Sequence, residues 1–144
     1  MKKQPFYIIC LIFSVLLFGS CNNKANGPES VAENFLKAYI ATDYTSAANY
    51  CTPKISDYLK ESLKEFKKLD SSMQTKIIEH TKIFSQQIDS IIKDKSTNMV
   101  NVYYSINKEI SDSTKSGSTK NESKINGVLR LVKSDDSWKI DSLK

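Results

Sequence analysis

Cysteine and histidine supply much of the nucleophile and metal chemistry of proteins, and this chain has three of the first and one of the second. Cys21 stands in the setting that says most about its chemistry. The apolar run Phe6 to Phe18, broken only by Cys10 and Ser14, ends at the small pair Gly19-Ser20, and the polar stretch Asn22-Asn23-Lys24 follows. That arrangement marks a lipoprotein leader: cleavage after Ser20 frees Cys21 as a first residue, and its thiol becomes a lipid-bearing thioether. A spanning helix wants about 20 apolar residues, and this run stops short of that. Cys10 then leaves with the leader and Cys21 is consumed, so Cys51 has no thiol to pair with and the fold must hold by packing.

Other reactive constellations fail on composition. Cys51 and His80 are a conceivable nucleophile and base, but neither lies in a nucleophile turn, and a small buried thiol and a surface imidazole explain them. A zinc site needs several converging nitrogen, sulfur or carboxylate ligands; one histidine, one free cysteine and dispersed acids do not supply them, so no metal is expected. Glu79-His80 lacks the second histidine of a zinc helix, and Asp135-Asp136 reads as turn chemistry. Four glycines leave no phosphate-binding loop, and no cofactor is expected.

The formal charge of +5 includes Lys2 and Lys3, whose removal with the leader brings it to +3. The remaining bases alternate with acids, as in Lys60-Glu61, Lys64-Glu65 and Lys108-Glu109. Such interleaving makes a solvated surface and not a phosphate-tracking stripe, which argues against nucleic acid. Residues 1–20 are therefore read as signal peptide, 21–27 as lipidated cysteine and short tether, and 28–144 as one domain. Several acyl chains at about 0.8 kcal/mol per buried methylene make the membrane attachment through Cys21 effectively permanent.

The elements follow from periodicity. Pro28-Glu29 suits a helix start, and Val31, Ala32, Phe35, Leu36, Tyr39 and Ile40 make one apolar stripe. Asp43 or Thr45 caps a short second helix ending near Tyr50. A third helix starts at Pro53 and carries Ile55, Tyr58, Leu59, Leu63, Phe66 and Leu69. Ser71 with Gln74 resembles a capping box and opens a fourth, carrying Met73, Ile77 and Ile78. After Phe84 the period becomes two, with Ile88 and Ile92 alternating with polar neighbours. Val100, Val102, Tyr104 and Ile106 line one face of the clearest strand, with Asn101, Tyr103 and Ser105 opposite. Ile110 to Ser123 is a long hairpin loop. Ile125, Gly127, Leu129 and Leu131 alternate along the next strand, and Trp138-Lys139-Ile140 begins the last after a turn at Ser134 to Ser137. Helices first and an antiparallel meander afterwards predict an α+β fold, with the long helices packed across the sheet.

The series Pro28-Glu29-Ser30-Val31-Ala32, Phe35-Leu36, Tyr39, Asp43-Tyr44, Ala47 and Tyr50-Cys51-Thr52-Pro53, with the ending Leu129-Arg130-Leu131-Val132-Lys133 and Trp138-Lys139-Ile140-Asp141, resembles small bacterial lipoproteins. These belong to the nuclear-transport-factor-2-like, cystatin-like superfamily, and the closest look is to lumazine-binding-like domains of unknown function. The looser lipobox, with Phe18 where many carry Leu, resembles those of Bacteroidota. The resemblance implies a curved antiparallel sheet wrapped around a helix as an open cone, a cystatin-like roll, and pairing of two copies through their sheets. In lipoproteins generally, the absence of an aspartate after the cysteine favours the outer membrane, here facing the periplasm, with a palmitate-type acyl anchor.

Three functions are carried forward, the last of them a structural envelope protein whose sheet edge or long helices dock a partner. The first is a non-enzymatic, membrane-tethered domain that binds a small apolar ligand or an envelope protein, with Val102, Tyr104, Leu129, Leu131 and Trp138 lining the concavity. The second is an isomerase- or hydrolase-like enzyme on a small apolar substrate. The resemblance suggests it because some superfamily members pair an acid with tyrosines in an apolar pocket, where burial raises the carboxyl pKa. Its candidates are Asp43, Asp57 and Asp89 with Tyr39, Tyr50, Tyr58, Tyr103 and Tyr104. No catalytic residue is singled out, since Asp43 suits a cap, Asp57 a polar helix face, and aromatics at these spacings usually fill a core.

Overall fold

The computed structural model describes residues 26–95, 97–108 and 123–144. Most of the expected hairpin loop, and the whole leader with Cys21, lie outside these residues. Four helices, α1 (Pro28–Ile40), α2 (Tyr44–Ala48), α3 (Pro53–Lys68) and α4 (Ser71–Thr81), precede four strands, β1 (Phe84–Lys93), β2 (Met99–Lys108), β3 (Ser123–Ser134) and β4 (Ser137–Leu143). The strands form one antiparallel sheet in the order β1-β2-β3-β4. The protein is α+β, as the change of period from the helical repeat to two requires.

Each helix start has a local cause. Pro28 and Pro53 occupy first-turn positions of α1 and α3, where the missing N–H costs nothing. The Asp43 carboxylate accepts from the Ser46 N–H at 3.0 Å and opens α2. At α4 the cap falls one residue before the expected Ser71: Asp70 accepts from the Met73 N–H at 2.9 Å, while Gln74 donates to the Leu69 carbonyl at 2.8 Å. α1 ends in a Schellman motif, with the Asp43 N–H on the Ala38 carbonyl and the Thr42 N–H on that of Tyr39.

The core joins one stripe of α1 to one face of the sheet. Ala32, Phe35 and Leu36 have no solvent exposure, and neither do Val102, Leu129, Leu131 and Ile140. Ala47 of α2 and Leu59 of α3 complete it. At about 1.5–3 kcal/mol for each large side chain fully buried, this one cluster is the main stabilising term. The expectation that all the long helices cover the sheet holds for α1 and partly for α3, which touches α2 and β4. α4 buries no residue at all, and Met73 and Ile78 stay exposed.

The register explains a second departure. Ile88 pairs with Tyr104, but Ser90 pairs with Tyr103, so Asp89 is an extra residue in β1. This bulge flips the alternation. Ile88 and Ile91 pack against the core, whereas Ile92, three pairs beyond Ile88 and expected on the Ile88 face, is 54% exposed on the other. The outer edge of β4 is bridged at Ile140. The Thr52 N–H donates to the Ile140 carbonyl and the Ile140 N–H to the Tyr50 carbonyl, both at 2.8 Å, so Tyr50 to Thr52 forms a short parallel bridge beside β4.

Candidate functional site

The alternation of β2 and β3 gives the sheet two faces of different character. Val100, Val102, Leu129 and Leu131 face the helices and are filled in by them. Asn101, Tyr103 and Ser105 on β2 and Asn126, Val128 and Arg130 on β3 face the other way. On that open side a depression of about 540 Å³ is bordered by Asp89, Ser90, Tyr103, Asn126, Val128 and Lys144, with Tyr104 and Gly127 also at its margin. Tyr103 opposes Val128 across the strands, giving an apolar pair between a carboxylate and an ammonium side chain.

The bulge places Asp89. As the extra residue it escapes the ladder, and its carboxylate accepts from the hydroxyl of Ser105 at 3.1 Å. Ser105 is completely buried, so this bond removes what would otherwise be an unpaired hydroxyl. The Lys124 ammonium lies 3.8 Å from the same oxygen. Asp89 is therefore a partnered, one-third-exposed acid at the margin of an open depression.

On the helix side, tyrosines gather. Tyr39 of α1 stacks on Phe35, with ring centroids 5.5 Å apart, and meets Tyr44 edge-on at 5.9 Å. Burial raises the Tyr39 phenol above its ordinary pKa, and nearby Tyr44, Tyr58 and Tyr104 add to the rise. Burial alone raises Tyr104. No acid among the three candidates joins this cluster: Asp43 caps α2, with Ser46 holding its carboxyl below the usual value, and Asp57 pairs with Lys60 at 2.9 Å on the exposed side of α3.

Of the residues expected to line a concavity, Tyr104 borders the open depression. Val102, Leu129 and Leu131 have zero exposure because they are packed into one core cluster with residues of α1, α2 and α3, and Trp138 is partly buried against the same cluster. Tyr103 and Asp89 were expected only as candidates of the enzymatic reading, and Asn126, Val128 and Lys144 were not among the expected site residues. The one clue to this region in the sequence is the spacing from Ile88 to Ile91, three instead of two, which signals a bulge.

Cys51 and His80 serve separate purposes. Cys51 is buried, its Sγ lies 3.4 Å from the Ala47 carbonyl oxygen, and burial pushes its thiol up to about 12 against a small opposing pull from Lys139. His80 sits on exposed α4 with its ring edge-on to Phe84 at 5.6 Å. Among the described residues no group of three or more His, Cys, Asp or Glu could hold a metal ion, and no helix is long and apolar enough to cross a membrane.

No protein-family model matches the chain, and no curated protein matches it. Among solved structures it is similar to a SEC-C motif-containing protein from Rhodopseudomonas palustris, with a TM-score of 0.50 and 10% identity over 83% of this chain and 79% of that one. It is also aligned with a protein of unknown function from Bacteroides thetaiotaomicron at a TM-score of 0.32 and 18% identity, over 96% and 98% of the two chains. The first likeness speaks to the fold alone, and the second is too loose to carry an argument; what the chain shares with a known protein is an α+β architecture.

Proposed function

We propose that this protein is a lipid-tethered, non-enzymatic binding domain of a bacterial envelope, held through Cys21 in the outer membrane and facing the periplasm. It takes a small, largely apolar ligand with polar ends on the open face of its sheet. The observation that carries this reading is the depression itself: Tyr103 and Val128 offer an apolar floor between Asp89 and Lys144, in a volume of ordinary ligand size. The α+β architecture is in keeping with the nuclear-transport-factor-2-like resemblance, whose members include binders. The enzymatic alternative needs an acid sunk among apolar groups beside a phenol. Asp89 stands near Tyr103 and Tyr104, but it is solvated and engaged by Ser105 and Lys124, so binding is the better account.

Native mass spectrometry of the full chain, extracted from its own membranes in detergent, tests both parts. An acyl mass on Cys21 together with a separate adduct lost on gentle activation is the expected result, and Tyr103→Ala should lose the adduct while keeping the acyl mass. A chain with no adduct defeats the ligand, and a bare Cys21 defeats the anchor.

A further inference from the structure

The two edges of the sheet differ among the described residues. β4 is bridged by Tyr50 to Thr52, but β1 pairs only with β2 among the described residues. Proteins blunt such edges with prolines, lysines or bulges, because unpaired backbone groups invite another strand. In β1 the bulge at Asp89 and Lys93 guard only the second half; Phe84-Ser85-Gln86-Gln87-Ile88 is regular and carries none of these. Beside this half runs a groove of about 420 Å³ between β1 and α1, lined by Glu29, Glu33, Asn34, Lys37, Gln86 and Ile88. Gln86 and Ile88 share the helix-facing side of the strand, as their pairing with Ile106 and Tyr104 shows. A strand laid along β1 would therefore point alternate side chains into the groove.

We propose that the groove between α1 and β1 receives an extended segment of a partner protein, which adds to Phe84–Ile88 as a further strand and sets a lysine or arginine against Glu29 and Glu33. Backbone pairing supplies affinity and the alternate side chains supply selection, the logic of strand addition at a helix-flanked edge. The charge decides the occupant. Neither Glu29 nor Glu33 has an ion-pair partner among the described residues, so both carboxylates are available to an incoming base. The groove carries two carboxylates, Glu29 and Glu33, against one ammonium, Lys37, so its charge favours a basic segment. The site is separate from the open-face depression and does not depend on it.

The test is hydrogen–deuterium exchange of the full chain in detergent, with a synthetic peptide alternating lysine and threonine, long enough to span Phe84–Ile88. Exchange should slow over Phe84–Ile88 and over Glu29–Lys37. The double variant Glu29→Lys with Glu33→Lys, two exposed changes, should weaken the peptide by about tenfold or more and favour a glutamate–threonine peptide instead. Equal binding of both peptides to the unmodified protein, or protection confined to the face bearing Tyr103 and Val128, overturns the proposal. So does protection of β1 that appears without peptide and grows with protein concentration, which would assign the edge to a second copy. A ligand lost from the depression, with the groove result intact, would count against the binding site on the open face alone.

Discussion

The phenol of Tyr104 closes over Gly127, its cross-strand partner, so tightly that a β-carbon at 127 would lie 2.4 Å from both Cζ and Oη of the ring. No real contact is that short, so glycine at 127 makes room for the ring and the ring covers backbone that glycine leaves bare. Gly127→Ala must push Tyr104 out of its half-buried seat, at a cost of about 1–3 kcal/mol, the usual range for overpacking. Thermal melts of the single variants and of Gly127→Ala combined with Tyr104→Ala measure the coupling. The two changes should be strongly non-additive, with the alanine at 127 costing little once the ring is gone.

Thr42 sits at φ 58° in the Schellman ending of α1, a left-handed position that suits glycine and crowds a β-branched residue. Thr42→Gly should relieve that crowding and stabilise the protein by about 1 kcal/mol. The threonine hydroxyl bonds only the neighbouring Ala41 carbonyl at 2.7 Å on an exposed surface, so its loss costs little. Denaturant unfolding checks the sign: a lower midpoint would mean that this hydroxyl matters more than the backbone.

Tyr39, Tyr104 and Cys51 all hold their protons more tightly in the folded chain than in the unfolded one, because burial disfavours the charged form. Below the ordinary thiol and phenol values both states keep these protons, and their contribution to stability is complete. As pH rises past those values the unfolded chain releases protons first, so stability falls until the folded groups titrate as well. Melting temperatures measured from neutral to strongly alkaline pH should decline from the thiol range upward. In Tyr39→Phe the part of the decline above the phenol range should be shallower.

The same burial makes Cys51 a reporter of unfolding. With its thiol pushed to about 12 and its side chain shielded, it should resist alkylation at mildly alkaline pH and react freely in denaturant. Mass mapping of the modified fragment measures this directly. Fast labelling in the folded protein would show that the bridge between Tyr50 to Thr52 and Ile140 opens readily.

Much of this architecture is written locally. Pro28 and Pro53, the aspartates at 43 and 70, and the stripe of Ala32, Phe35 and Leu36 mark helices within a few residues of themselves, because capping and the helical repeat act over one or two turns. The face shared by Val100 and Val102 is equally local, since alternation is a property of a single strand. The setting of Cys21 is also a matter of neighbours in the chain. Tertiary structure decided the rest. The bulge at Asp89 sets Ile92 opposite Ile88 and brings an acid beside Ser105 and Tyr103. The meeting of Tyr104 with Gly127, the bridge beside β4, the regular first half of β1 and the unburied α4 arise from pairing between distant segments. Alternation says which residues share a face, but only register says which strand meets which, and the candidate sites of this protein are made at those meetings.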